Sequence, residues 1–556
     1  MQTDRKDYPK WSFYPRPQLK REKYKILNSG WTLNNQSITV PFPPQSDLSE
    51  YKGEIGTELT YLSTFTLPSD FTLTRTLLHF GAVDQRCDVY INDTFVGHNE
   101  GGYLPFSFDI TSVVNRDSEN ILKVIAIDDL CHDYPYGKQT NHPGGMWYTP
   151  VSGIWQNVWL ENVPDTYVTK LKTDVNLNQV EIQLEYNQTV NTMQTFEINV
   201  ELPDGSCMTQ SFTEGKAIFT MPNPIHWTPE NPHLYNFRIS TGEDSFDSYF
   251  ALRTIAIKNI NGVNRVCLNN KPIFLHGVLD QGYFKDGIFL PAQESDYDTD
   301  IQNMKNLGFN MLRKHIKIEP DYFYYACDKL GMLVMQDMVN SGEYSFLRDT
   351  ALPTIGLKQK KDVHLSTDNK RRQLFEEQTR LTIEHLYNHP CVIAYTIFNE
   401  GWGQFDSDEM YDYVKALDKT RLVDSTSGWF AQTKNDFDSE HIYFRLKQLK
   451  VQKRPLFISE CGGYKLMNRE HFFGNTEYGY GTCKDSADLT NRIVQMYEKM
   501  ILPSIKGGVC GCVYTQVSDV EDEINGLYTY DRAVCKVEKE KLLEIAKNIQ
   551  TSLNSL

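Results

Sequence analysis

The chain lacks the features that would set it apart from an ordinary globular protein. No apolar run approaches the length of a membrane span, and the amino-terminal stretch MQTDRKDYPKWSFYPRP is polar and charged, without the apolar segment of a secretory signal. There is no long basic run or basic helix and the formal net charge is −16, so neither nucleic acid nor a membrane surface is an expected partner. The 11 cysteines are odd in number, scatter from Cys87 to Cys535 and include no Cys-x-x-Cys pair, which argues against zinc or redox chemistry. Cys510 and Cys512 would share a face of a strand but stand too far apart for an unstrained bridge. The cysteines read as reduced, small apolar residues, and the expected compartment is the cytoplasm.

What is present points to several domains. At 556 residues the chain exceeds the size at which one core keeps growing. Residues from about Glu58 to Val163 read as short alternating strands broken by turns, with Asn92-Asp93 closing a hairpin; this predicts a jelly-roll sandwich over 1–165. Strands continue from Tyr167 to Asn259, with a turn at Pro203-Asp204-Gly205, and predict an immunoglobulin-like β-sandwich over 166–260.

Over 261–556 the pattern becomes strand, helix, strand, helix. Eight strand candidates are KPIFLHGV (271–278), FNMLRKH (309–315), MLVMQDM (332–338), CVIAYTIFNE (391–400), RLVDSTS (421–427), EHIYF (440–444), PLFISE (455–460) and GVCGCVYTQ (508–516). Between them lie helical stretches such as Asp296 to Leu307 and Lys370 to Leu386. Eight such repeats predict a (β/α)8 barrel with its chemistry at the carboxyl ends of the strands. The long insertion from Asn340 to Asp368 follows the third strand and would wall or cover that face.

The strand ends then form a list of candidate site residues. They are Asp280 and Gln281 after strand one, Arg313 and His315 at strand two, Asp337 at strand three and Asn399-Glu400 at strand four. Strand five gives Asp424 with Trp429 beyond it, strand six His441 and Tyr443, strand seven Glu460 and strand eight Gln516. Polar groups at buried strand ends are costly unless partnered, so a ring of them implies a hydrogen-bonded floor that receives a ligand. Two carboxylates among them, Glu400 and Glu460, end apolar runs and suit general acid and nucleophile work.

The segments MWYTPVSGIWQNVWLE (146–161), GFNMLRKH (308–315), YYACDKLGMLVMQD (324–337), NHPCVIAYTIFNEGWGQ (388–404) and PLFISECGGY (455–464), in this order, resemble glycoside hydrolase family 2. That family comprises the clan A exo-β-glycosidases, with β-galactosidases, β-glucuronidases and β-mannosidases among them. The resemblance implies that Glu400 is the acid/base, that Glu460 is the nucleophile, and that Asn399 holds the sugar 2-hydroxyl. Tyr443, Arg313 and His441 are read as orienters of nucleophile and sugar, while Trp402, Trp429 and Tyr464 offer faces to the pyranose. His315, Asp280, Asp337 and Gln516 complete the expected substrate-binding set. Arg313 reads equally well as a brace of the barrel mouth, and His315 and His441 as framework histidines. Trp147, Trp155 and Trp159 read as structural, in a sheet or between domains.

The implied activity is that of a retaining exo-β-glycosidase, β-galactosidase-like, acting on a small or oligomeric glycoside. The alternatives are a β-hexuronidase of the same family, a transglycosylase on the same machinery, and a non-catalytic carbohydrate-binding protein. Family glucuronidases carry an Asn-x-Lys motif after the eighth strand, and the corresponding VSDVEDEINGLYTYDR (517–532) has none. The Asn-x-Lys triplets at 269–271 and 303–305 fall in a turn and a helix. The acidic residues Asp519, Glu521, Asp522 and Glu523 would suit a neutral or amine-bearing sugar if they faced the pocket. No cofactor is required; a carboxylate cluster of this kind can recruit Mg2+ or Ca2+, but it reads first as a solvated acidic loop. A homo-oligomer is an open expectation.

Overall fold

A computed structural model of the protein describes residues 11–188, 195–354, 356–357, 361–362, 368–443 and 446–556. The first domain is a sandwich of a six-stranded sheet, centred on Glu58–Phe65 and Asn120–Ile127, and a four-stranded sheet centred on Val158–Val163 and Arg75–Phe80. Alternation builds it: in Glu58–Phe65, Leu59 and Tyr61 are fully buried while Glu58 faces solvent. Asn92 and Asp93 both have positive φ, 50° and 61°, as a tight hairpin turn between Arg86–Ile91 and Thr94–Glu100 requires. The second domain pairs a three-stranded sheet, containing Val168–Val175, with a four-stranded sheet containing Tyr235–Thr241.

The third domain contains eight parallel strands in the order five, four, three, two, one, eight, seven, six. They are Leu275–Asp280, Met311–Lys314, Leu333–Asp337, Val392–Asn399, Leu422–Ser427, Asp438–Ile442, Leu456–Gly462 and Val509–Thr515. Strand four is buried at every position, which is why its sequence shows no alternation: helices cover one face and the barrel core the other. The first strand begins later than its sequence suggests. Lys271–Pro272 instead pairs antiparallel with Val263–Leu268, in a three-stranded sheet ahead of the barrel. The sixth begins earlier, at Asp438, and the predicted end at Phe444 lies outside the described residues.

Among the described residues strands five and six form no backbone ladder, which leaves a seam in the cylinder. Side chains bridge it: Ser439 Oγ donates to Asp424 Oδ2 over 2.7 Å, and Ser427 Oγ stands 2.9 Å from His441 Nε2. A helix over Lys539–Asn554, with Leu542, Ile545 and Ile549 buried at three- and four-residue spacing, packs on the outside of the barrel. Among the described residues no helix is long and apolar enough to cross a membrane.

The domains are tied by buried polar groups. Arg21 donates to Glu161 of the first sandwich over 2.8 Å and to both oxygens of Asp244 of the second over 2.9 Å. Arg253, at the end of the second domain, donates to the Pro390 and Val392 carbonyls beneath strand four. At the opposite end of the barrel, a loop of the first sandwich reaches over the mouth. Tyr136 and Gly137 amides donate to the Asn340 carbonyl, Tyr136 Oη to the Gly342 carbonyl, and Tyr148 Oη to Glu523.

Candidate active site

Glu400 and Glu460 meet in the barrel mouth. Asn399 ends strand four, and the chain then turns sharply: Glu400 has φ +53° and its amide donates to the Ser427 carbonyl. Gly401 follows at φ +74°, where a Cβ would collide with the Phe430 ring. Glu460 lies within strand seven, where its neighbours are fixed by the ladder. The imidazole of His441 links the pair, with Nδ1 2.7 Å from Glu400 Oε1 and 3.5 Å from Glu460 Oε2. Donor atoms of Glu400, His441 and Glu460 all lie within 4.8 Å of one another, a set that could formally ligate a cation.

The two carboxylates have different surroundings. Arg313 Nη1 donates to Glu460 Oε1 over 3.1 Å and Tyr443 Oη donates to Oε2. Burial alone would push the Glu460 carboxyl up; the charges of His441, Arg313 and His315 and the Tyr443 hydrogen bond outweigh it and bring it down to about 2. Glu400 has neither the guanidinium nor the phenol and is more open to the cleft.

Arg313 is the centre of the floor. It is fully enclosed, with Nε on Asp337, Nη1 on the Ser459 carbonyl and Glu460, and Nη2 on Asn399 Oδ1 at 2.9 Å. With these partners it braces the mouth. Asp337 spends its oxygens on Arg313 and on His315 Nδ1, 2.7 Å away; against its burial, the Arg313 charge foremost and the His315 hydrogen bond hold it below the usual carboxylate range. It too is support. Asp280 is not in the mouth. In the strand register it pairs with Lys314, whose ammonium it binds at 2.6 Å within a buried cluster that also holds Glu319 and Lys317. Arg313 turns inward, so its neighbour Lys314, and Asp280 with it, turn outward toward the helices. Gln516 is fully buried, donating to Asn525 Oδ1 with its own carbonyl oxygen unpartnered.

The remaining predicted residues line the mouth or its wall. Asn399 offers its amide beyond the Arg313 contact. Trp402 donates to the Gly342 carbonyl and packs edge-on against Trp147, 5.0 Å between centroids. Trp429 donates to the Asp349 carbonyl of the insertion and tilts over His441 at 5.3 Å. Tyr464 pairs with Tyr480 in a short ladder, and it is Tyr480 that packs on Tyr443, at 4.4 Å. The described part of the insertion includes a wide helical turn, Phe346–Ala351, capped by Ser345; other residues of it fall outside the described set.

Several site residues carry no strand-end signal. Trp147 is half-buried and meets Trp402 and Tyr344 at the rim, so it lies between domains and in no regular strand. Lys138 and Tyr148 come from the same sandwich loop. The acidic loop is not a free cluster: Asp519 is bound by Lys536 at 2.6 Å, Glu521 by the Thr149 amide, Asp522 by Asn475 and Thr476, and Glu523 by Tyr148 and Asn525. Each carboxylate is engaged by groups of the protein's own chain.

Two β-sandwiches ahead of a barrel, with paired carboxylates across its mouth, define a class of multidomain barrel protein with a carboxylate-pair site. Comparison narrows the class. The model of the sugar binding domain of glycosyl hydrolases family 2 matches residues 29–164, that of the family's central domain 163–253, and that of its TIM barrel domain 257–528. The chain belongs to glycosyl hydrolases family 2. It is 25% identical over 538 residues to a β-galactosidase of Leuconostoc mesenteroides subsp. mesenteroides, covering 87% of this chain and 47% of that one. A β-galactosidase of Thermoanaerobacter pseudethanolicus is 25% identical over 364 residues, 62% of this chain and 45% of that one. The chain spans about half the length of the curated relatives it matches. Among solved structures, a β-D-glucuronidase of Dictyoglomus thermophilum has the same fold, with TM-score 0.73, 18% identity, and 97% and 98% of the two chains covered.

Proposed function

We propose that the protein is a retaining exo-β-glycosidase that hydrolyses terminal β-linked sugars by double displacement. The observation that carries this reading is the pairing of Glu460 and Glu400 within 4.8 Å, with a guanidinium and a phenol on Glu460 alone. Retention calls for carboxyl groups about 5 to 5.5 Å apart, whereas inversion needs roughly 6.5 to 9.5 Å to admit a water. The low Glu460 pKa keeps that group ionised for attack on the anomeric carbon.

In the first step a Glu460 oxygen bonds to the anomeric carbon as the bond to the aglycone oxygen breaks, and Glu400 gives that oxygen its proton. In the second, Glu400, now a carboxylate, takes a proton from the water that attacks the same carbon and expels Glu460. Asn399 holds the 2-hydroxyl as positive charge develops on the ring, a role supported by its hydrogen bond from Arg313. The sandwich loop and the insertion wall the mouth, which supports action on a chain end rather than mid-chain. The guanidinium of Arg313 supplies the cation beside the nucleophile, so no metal or organic cofactor is assigned a step.

Proton NMR of the first-formed sugar tests the mechanism: the β-anomer is expected, and an α-anomer would overturn retention. Glu460→Gln and Glu400→Gln are each expected to lower kcat at least about 100-fold on p-nitrophenyl β-glycosides. Unchanged turnover in either variant would remove its residue from the proposed role.

A further inference from the structure

The sandwich loop brings one cation to the mouth that the chemistry above does not use. Lys138 is pinned on both sides. Gly137, at φ +67°, lies so close to the barrel that a Cβ would fall 2.8 Å from the Ile316 carbonyl oxygen, one residue beyond His315. Gln139 is fully buried, donating to Asp84 and Tyr103 and accepting from the Val151 amide. The Lys138 carbonyl itself accepts from the Tyr148 amide. With Gln139 turned into the sandwich, the Lys138 side chain leaves the other way and is half-buried.

Its ammonium sits 5.6 Å from the centre of the Trp147 ring, and Trp147 packs on Trp402, two residues after Glu400. Among the described residues it makes no ion pair and no side-chain hydrogen bond. Its charge is felt at His315 and at Glu523, on the side of the mouth above strands two and eight. Glu523 is a weak counter-charge. Both its oxygens are engaged, by Tyr148 and Asn525, and burial pushes its carboxyl up. A half-buried ammonium held over an aromatic face with no paired anion is the arrangement expected of a site whose anion arrives with the ligand.

We infer that Lys138 is a specificity-determining residue that binds a carboxylate on the terminal sugar, so that the glycone is a uronic acid. The inference rests on the exo-glycosidase reading, because the side of the mouth covered by the sandwich loop is the closed side, where a terminal sugar sits. It differs from recognition by the segment after strand eight, whose acidic residues anchor chain. The basic group comes from a different domain, 262 positions before Glu400 in the chain.

The test measures kcat/KM of the full chain on p-nitrophenyl β-D-glucuronide, β-D-galacturonide and β-D-galactoside, for wild type, Lys138→Met and Lys138→Arg. Wild type is expected to favour one of the uronides, and the two uronide arms name the epimer. Lys138→Met keeps the length that packs on Trp147; it is expected to lose about 100-fold on that uronide and little on the galactoside. Lys138→Arg is expected to recover part of the loss, with unchanged melting in both variants. A wild type that favours the galactoside, or a Lys138→Met that loses both substrates equally, overturns the role of Lys138 and leaves the glycosidase reading standing. Absence of turnover on all three substrates overturns both.

Discussion

Arg313 and Glu460 form an ion pair at 3.1 Å in which neither side chain is appreciably open to solvent, at 0% and 7% exposure. The guanidinium that holds the proposed nucleophile ionised also fixes Asn399 and Asp337, so one residue sets both the charge and the shape of the floor. Replacing it by Met leaves two buried carboxylates without their cation. Arg313→Met is expected to cost about 3–5 kcal/mol of stability. It is also expected to move the acid limb of kcat/KM upward, toward the ordinary carboxylate range. Thermal melting and a pH–rate profile check the two effects separately.

The sign of the Glu460 contribution follows from its depressed pKa. Its pairing stabilises the fold fully above the ordinary value of 4.5, and this is lost as pH falls toward about 2. Tyr443→Phe removes a donor to Oε2, so the Glu460 pKa rises and the acid limb is expected to shift up, with kcat reduced about 10- to 100-fold. A profile superimposable on wild type would show that the phenol does not tune the nucleophile.

Gly401 lets the chain leave strand four so that Glu400 reaches the mouth. Gly401→Ala places a methyl group on the Phe430 ring at a φ of +74°. A loss of roughly 1–2 kcal/mol in stability is expected from the backbone alone, with a larger loss in kcat than in KM because Glu400 is displaced. Equal melting and turnover in the variant would mean that the turn re-forms around it.

Glu161 is the common partner of Arg21, which also reaches Asp244 of the second domain, and of Tyr14 Oη at 2.5 Å. Glu161→Gln leaves the Arg21 charge with Asp244 alone and is expected to destabilise by about 3 kcal/mol. Lower resistance to limited proteolysis and a lower melting temperature are the readouts, with turnover of the surviving folded protein little changed.

How far these relationships could be read in the sequence depended on whether a residue's environment was set by its own strand. Glu400 and Glu460 were legible because each interrupts an apolar run, and such a charge must emerge at a barrel end. The outward turn of Asp280 was not, because it depends on register against Lys314, one residue from the inward Arg313. Polar strand ends alone do not say which face they serve. Trp147 and Lys138 were hidden for a different reason: they act at the barrel mouth while belonging to a loop of another domain. Tyr480, which no strand-end signal marks, packs on Tyr443, because a short ladder after strand seven pairs it with Tyr464. The acidic run from Asp519 looked like a cluster only in one dimension.

The seam between strands five and six has a consequence for how the barrel tolerates change. Elsewhere around the cylinder, closure is carried by the main chain and survives most side-chain substitutions. Here Ser427, His441, Asp424 and Ser439 hold the edges together, and His441 is also the group that spans the two glutamates. Shape and reactivity are therefore inherited together at this one place. A substitution that loosens the joint alters the proton-handling pair in the same stroke, and variation should be admitted last where the backbone does least.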